Sequence, residues 1–290
     1  MPTETTDSAL MTYRPTVRGR RLARELRRLR ENLGLTLQDV ADRLDWSRAT
    51  VSRVETGQTR PKVADVARML ELYGVPSPDR DALITLARDA GQRGWWTAYA
   101  DVFAGSYVAL EDEASAIRTW DPQLVHGLLQ TEDYARAVIT AGRMLPGRTE
   151  IERRIAARKV RQKLLDRENA PLLHVVLDEA VLHRPLGGAS VMNAQLRKLS
   201  VMTERPNVTV QVLPYAAGEH AGLDGRFTIL SFPDPADPDI AYVEGTMGDV
   251  YVESAEETGV HRRRFDRIVE AALSPEDSAH LIIEAAGSSL

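Results

Sequence analysis

The chain has 290 residues, of which 43% are hydrophobic and 27% charged, with a formal net charge of −5. It has no cysteine, which excludes a disulfide framework and a thiolate metal site. No stretch approaches the ~18 apolar residues of a membrane helix, and the opening MPTETTDSALMTYRP has no apolar signal core, so the expectation is a cytoplasmic protein of two domains with no membrane contact.

The net charge conceals an asymmetry. From Arg14 to Lys62 there are twelve Arg and one Lys against six Asp or Glu, a local charge of +7 that leaves −12 on the rest. A basic segment on an acidic body points to a polyanion partner for the first part alone.

Residues 1–14 are polar and read as a disordered tail. Val17 to Leu33 predicts a helix, with Leu22, Leu26, Leu29 and Leu33 on one face, arginines on the other and Gly34 as its stop. Thr36 to Gly57 reads as two short helices around the corner Asp45-Trp46-Ser47. Leu37, Val40, Ala41 and Leu44 are the apolar positions of the first; Ala49, Val51 and Val54 are those of the second. Thr36 and Ser47 stand where side chains cap a first turn, and Gly57 where a left-handed residue closes a helix. This is a helix-turn-helix, whose second helix lies in the major groove of DNA. Gln58 to Pro61 is a loop, Val63 to Tyr73 a fourth helix ended by Gly74, and Asp79 to Ala90 a fifth; Gly91 and Gly94 mark a boundary. Residues 15–92 are therefore expected to form a mainly α domain of five helices.

Residues 95–290 read as a larger α+β domain. Trp95-Trp96 opens a mostly helical stretch, in which Tyr107 to Trp120 carries Leu110, Ala114 and Ile117 on one stripe. Thr131-Glu132-Asp133 caps a helix through Ala141, and Thr149 with Glu152 suggests a capping box for a helix to about Glu168. The period then changes. Leu172–Leu177, Val208–Leu213, Phe227–Phe232, Ile240–Val243 and Val250–Val252 read as strands. Val191–Arg205, Phe265–Leu273 and a last segment opened by Ser274-Pro275 read as helices.

Residues 18 to 75 resemble the Xre/Cro-repressor type of helix-turn-helix domain, most diagnostically in GLTLQDVADRLDWSRATVSRVETGQTRP with its Glu55, Gly57, Arg60 and Pro61. The rest resembles the large C-terminal domain of the WhiJ-like group of actinobacterial regulators. The matching pieces run in order from WWTAY at 95–99 and YVALEDEASAIR at 107–118 through HGLLQTEDYARAVI at 126–139, VVLDEAVLHRPLGG at 175–188 and NVTVQVLPYAAGEHAGLDGRFTILSF at 207–232 to LSPEDSAHLI at 273–282. The resemblance implies an antitoxin-like protein that pairs with a small protein encoded beside it. His126 stands where that group usually has Pro.

In the reader, Arg48, Ala49, Thr50, Ser52 and Arg53 are the expected base-reading residues, because the start of the second helix meets the base edges. The planar fork of Arg48 matches guanine O6 and N7; Ala49 and the Thr50 methyl suit a thymine methyl. Phosphate contacts are expected from Arg18, Arg21, Gln38, Ser47, Thr59, Arg60 and Lys62, with Thr50 beside them. Related readers carry Gln at the first position of the earlier helix; here that is Leu37, with Gln38 beside it. Glu55 is expected to pair with a loop amide or a nearby Arg, and Trp46 to pack on the surface rather than touch DNA.

In the second domain, His174, Asp178, Glu179 and His183 suggest a ligand cluster, but a strand and a turn separate them, so no metal is expected. No P-loop, Gly-x-Ser-x-Gly or Cys nucleophile is present, and the expectation is no enzyme and no cofactor. Gly218 to Gly222 reads as a turn, with lining of a pocket as the other reading. Arg158, Arg161 and Gln162 read as a solvated or ion-paired face, with an acidic partner as the other reading. The function expected is a DNA-binding transcriptional regulator acting as a homodimer on double-stranded DNA, in the cytoplasm at the nucleoid, controlled by a small partner protein or effector. The alternative is an antitoxin-like module that neutralises its partner and autoregulates its operon.

Overall fold

The computed structural model describes residues 16–90, 98–99, 102, 107–142, 147–235, 237–245 and 249–288. The expected tail at 1–14, the boundary glycines Gly91 and Gly94, and Trp95-Trp96 lie outside these. The chain divides into two compact units, Met1–Gly94 and Trp95–Leu290.

The first unit is helical: α1 (Val17–Asn32), α2 (Leu37–Leu44), α3 (Arg48–Glu55), α4 (Val63–Leu72) and α5 (Asp79–Asp89). Each takes its inward face from the apolar positions that set its period. Leu22 and Leu26 of α1, Val40, Ala41 and Leu44 of α2, Val51 and Val54 of α3, and Val66, Met69 and Leu70 of α4 form one buried cluster. Gly34, Gly57 and Gly74 all adopt positive φ at helix ends.

The second unit is built on a six-stranded sheet in the order β3-β2-β1-β4-β5-β6. Helix α6 (Tyr107–Glu113) leads into β1 (Ala116–Asp121). A 3-10 turn at Gly127–Leu129, α7 (Glu132–Ala141), α8 (Arg148–Gln162) and a second 3-10 turn at Lys163–Asp166 then precede β2 (Leu172–Asp178). α9 (Ala180–His183) and α10 (Ala189–Thr203) lead to β3 (Val208–Leu213). β4 (Phe227–Ser231), β5 (Ile240–Val243), β6 (Val250–Val252), α11 (Ala255–Ala271) and α12 (Pro275–Ser288) complete it. β1, β2 and β3 run parallel, while β4, β5 and β6 are joined antiparallel. The fold is thus a mainly α domain followed by an α+β domain, as the periodicity predicts.

Three expectations are corrected. Ala116 to Asp121 is not helical: it is a central strand, paired with β2 from Ala116↔Leu172 to Asp121↔Leu177 and with β4 from Ala116↔Ser231 to Trp120↔Phe227. The stripe of Leu110, Ala114 and Ile117 mimics a helical spacing, but the bonds are made to strands remote in the chain. The Thr149–Glu152 capping box does not form. α8 starts at Arg148 after Gly147, and Glu152 instead pairs with Arg136 of α7. α11 begins at Ala255, ten residues before the expected helix, capped by Ser254, whose side chain accepts from the Glu257 amide.

Alternation along β1 fixes which residues face which layer. Trp120 points to α11 and is fully buried with Val176, Phe227, Ile229, Phe265 and Ile268. Thr119 and Asp121 point to the other face, where the Thr119 hydroxyl donates to Asp121 Oδ2 at 3.1 Å. The free edge of β3 is closed by the start of α12: the Val212 amide donates to Ser278 Oγ at 2.9 Å, and the Leu273 amide to Val212 O at 2.9 Å.

The loop Gly218 to Gly222 is packed onto Trp120. Trp120 Nε1 donates to Gly222 O at 2.9 Å, and the His220 ring stands edge-on to the indole at 5.4 Å. A Cβ on Gly222 would lie 2.5 Å from Trp120 Nε1, so only glycine allows this approach. Gly222→Ala is therefore expected to cost about 1–3 kcal/mol through overpacking, read as a lower thermal midpoint with a changed tryptophan fluorescence.

Candidate nucleic-acid interface

Local chemistry builds the turn between α2 and α3. The Thr36 side chain accepts from the Asp39 amide, and Asp39 Oδ2 accepts from the Thr36 amide at 2.7 Å, a reciprocal cap on α2. These bonds from Thr36 hold the Asp39 carboxyl below its usual range. Asp45 ends α2 in the left-handed region at φ 58°, a conformation Asp tolerates better than most residues. Ser47 Oγ accepts from the Thr50 amide at 3.1 Å and caps α3. Gly57, at φ 68°, lets the Gln58 amide return to Arg53 O at 2.8 Å. Trp46 packs against the helical core with the Arg68 guanidinium 5.7 Å from its ring centroid, in keeping with the surface-packing reading. Arg68 also donates to Leu44 O at 2.7 Å at the end of α2.

α3 has two faces. Val51, Val54 and Glu55 are buried. Arg48, Ala49 and Arg53 are exposed and Ser52 half-exposed, at the i, i+1, i+4 and i+5 spacing of one helical face. Thr50 is half-buried, and its hydroxyl lies 2.8 Å from Ser47 Oγ. Thr59, Arg60 and Lys62 are exposed in the loop after α3, and Arg18 on α1. Arg18, Arg48, Arg53, Arg60 and Lys62 make no ion pair among the described residues. Arg21 is half-buried and has an interaction of its own. Gln38 is exposed on α2, with its amide donating to Asp42 at 2.7 Å.

Behind that face sits a feature only half visible in the sequence. Glu55, 2% exposed, is held by Arg30 of α1, 10% exposed. Arg30 Nε reaches both carboxylate oxygens at 2.9 Å, Nη2 lies 2.8 Å from Oε2, and Nη1 donates to Leu35 O at 2.8 Å. One guanidinium therefore ties α1, the Gly34 turn and the end of α3 together. The bond from Glu55 raises the Arg30 pKa further. The expectation of Glu55 paired with an Arg holds; the partner lies 25 residues upstream, which spacing alone does not identify.

In the second unit the histidine–carboxylate cluster does not converge. His174 Nε2 lies 2.7 Å from Gln211 Oε1, Asp178 Oδ1 accepts from the Ala180 amide at 2.8 Å, and Glu179 Oε2 accepts from the Tyr215 amide at 2.7 Å. His183 lies 3.5 Å from Glu179. No group of three or more metal-ligating side chains is found among the described residues. The face of α8 with Arg158, Arg161 and Gln162 is half-buried rather than solvated, and the ion-paired reading holds for Arg161. Arg161 pairs with Glu111, 1% exposed, with Nη2 2.7 Å from Oε1. Arg158 donates to Gln130 Oε1. Gln162 Nε2 donates to Gly127 O at 3.0 Å and Gln130 O at 2.8 Å. A second buried carboxylate, Asp121, takes Arg226 Nε at 2.5 Å.

Residues 21–83 match the family model described as a helix-turn-helix domain, the class to which the geometry of α2 and α3 points and one that supports a DNA-binding regulator. Residues 104–284, more than half of the chain, match the domain of unknown function DUF5753, and the chain belongs to that family. No curated protein and no solved structure matches it. No helix among the described residues is long and apolar enough to cross a membrane.

Removing one partner of a buried pair strands the other charge, at a cost of about 3–5 kcal/mol. Glu55→Ala is therefore expected to speed hydrogen exchange across 17–90 while leaving 172–288 unchanged. Arg30→Met with Glu55→Leu, which buries no charge, is expected to recover much of that loss.

Proposed function

We propose that the protein is a sequence-specific, DNA-binding transcriptional regulator of the cytoplasm, not an enzyme, with its reader in α2 and α3 and its control in residues 95–290. The outward face of α3 carries the reading: Arg48, Ala49, Ser52 and Arg53 project there, and among the described residues no ion pair satisfies the two guanidiniums. Arg48, at the first position of the helix, suits a two-pronged bond to guanine. Arg18, Arg60 and Lys62 suit the flanking phosphates, as do the hydroxyls of Ser47 and Thr59. Two copies acting as a homodimer would place two readers in half-sites about 34 Å apart. The order of motifs shared with the WhiJ-like group favours a second reading, in which residues 95–290 hold a small partner protein and the DNA contact serves autoregulation.

Genome-wide mapping of binding sites is expected to return an inverted repeat, and the absence of any enriched motif would overturn the proposal. On that site, Arg48→Ala is expected to cost about 1–3 kcal/mol and to relax discrimination at one base position per half-site. Arg60→Ala is expected to weaken all sequences alike and to lower the slope of log affinity against log salt by about 1 per reader. An unchanged slope removes Arg60 from the phosphate contacts.

A further inference from the structure

One buried hydrogen-bond donor of the second unit has no acceptor among the described residues, and cationic side chains lie around it. His126, 1% exposed, follows β1 and precedes the 3-10 turn. Its Nδ1 accepts from the Leu128 amide at 3.4 Å. Burial, then Arg161, Arg226 and Arg158, push its pKa well below the usual value, so the ring is neutral. A neutral imidazole that accepts at Nδ1 carries its proton on Nε2. That Nε2 is buried and has no hydrogen-bond partner among the described residues. Leaving such a donor unmade in the interior costs free energy that a ligand acceptor would recover.

The charges beside it are cationic. Arg161 lies against the next residue: a Cβ on Gly127 would meet Arg161 Nη1 at 3.2 Å. Arg161 is matched by Glu111 and Arg226 by Asp121, with Glu244 on its outer side. Arg158 has no carboxylate partner among the described residues; its bond goes to the neutral Gln130. Burial, then Arg161 and Arg226, pull the Arg158 guanidinium down to about 10 against the opposing attraction of Glu111 and Glu244. Lys198 of α10 likewise spends its ammonium on Gln130 O at 2.7 Å and Gln162 Oε1 at 3.4 Å, and burial lowers its pKa. Carboxylates act on these two cations only from a distance, Glu111 and Glu244 on Arg158 and Asp166 on Lys198, and none hydrogen-bonds either of them among the described residues. The Arg226 side chain remains 33% exposed and Arg158 is half-buried, so the cluster reaches solvent.

We propose that His126, Arg158 and Arg226, backed by Arg161 and Lys198, form a binding site for a small oxyanion, the phosphate or carboxylate group of a metabolite. The oxyanion accepts from His126 Nε2 and gives Arg158 the directly bonded anion that Gln130 does not supply. That this ligand controls DNA binding rests on the function proposed above; the site itself does not.

The test uses the full chain, with inorganic phosphate and succinate as separate probes against sodium chloride of equal ionic strength. About 20 mM of the preferred anion is expected to raise the thermal midpoint of the second unit by roughly 2–4 °C beyond chloride. Phosphate alone acting assigns a phosphoryl ligand, and succinate alone a carboxylate. Arg158→Gln and His126→Phe are expected to abolish the rise. Arg158→Gln, relieved of a buried charge, is expected to match or exceed the wild-type midpoint without anion, which separates loss of the site from loss of the fold. Arg48→Ala with Arg60→Ala is expected to lose DNA and keep the anion effect. No rise with either anion, or a rise that survives both Arg158→Gln and His126→Phe, overturns the site. A rise that persists while DNA affinity ignores the anion leaves the site and removes its regulatory role.

Discussion

The chain depends on how it handles buried carboxylates. Glu55, Glu111 and Asp121 are almost without exposure, and each is held by an arginine from a distant part of its own unit: Arg30, Arg161 and Arg226. An ionised carboxylate cannot enter the interior alone, and a guanidinium fork satisfies two lone pairs at once. Such a pair contributes little net stability compared with apolar packing, but it tolerates only one arrangement of its elements. In the reader, Arg30 and Glu55 set the end of α3 against α1. In the second unit, Glu111 and Asp121 bracket β1, tying α6 to α8 and β1 to β4. Position is what these pairs supply, and position is what a recognition helix or a ligand site requires.

The reader was legible because its information is local. Thr36 and Ser47 cap where helices begin, Gly34, Gly57 and Gly74 turn where helices end, and the apolar period between them leaves one solution. Even there Asp45 was missed as the left-handed end of α2, since Asp marks starts more often than stops. β1 was illegible for the opposite reason. AIRTWD becomes a strand because β2 lies about 56 residues on and β4 about 110 residues on, with both sides of the ladder ready. Strand propensity answers to such partners more than to the segment itself.

The same split separates the two candidate sites. The outward residues of α3 follow from helical period alone once the helix is placed. The inward turn of Arg158, Arg161 and Gln162 does not, because arginine on a helix is by default a surface residue. Its burial is decided by Glu111, 50 residues earlier, and by the Gln130 loop that α8 covers. His126 gave no usable signal in the sequence; only its enclosure makes its free nitrogen meaningful.

Arginine therefore does two different jobs in one chain. In the +7 segment, Arg48, Arg53 and Arg60 stand in water unpaired, where a polyanion can release their counterions at small desolvation cost. The −12 of the remainder disfavours approach of a polyanion such as DNA to that part of the chain. Within that remainder the half-buried Arg158, bonded to neutral Gln130, is proposed to answer to a different class of anion. At the proposed site a small oxyanion would meet partly desolvated donors, and a charge-assisted hydrogen bond is stronger there than in open water. If the proposed site binds, selectivity between the two anions rests on the difference between an exposed guanidinium and a half-buried one.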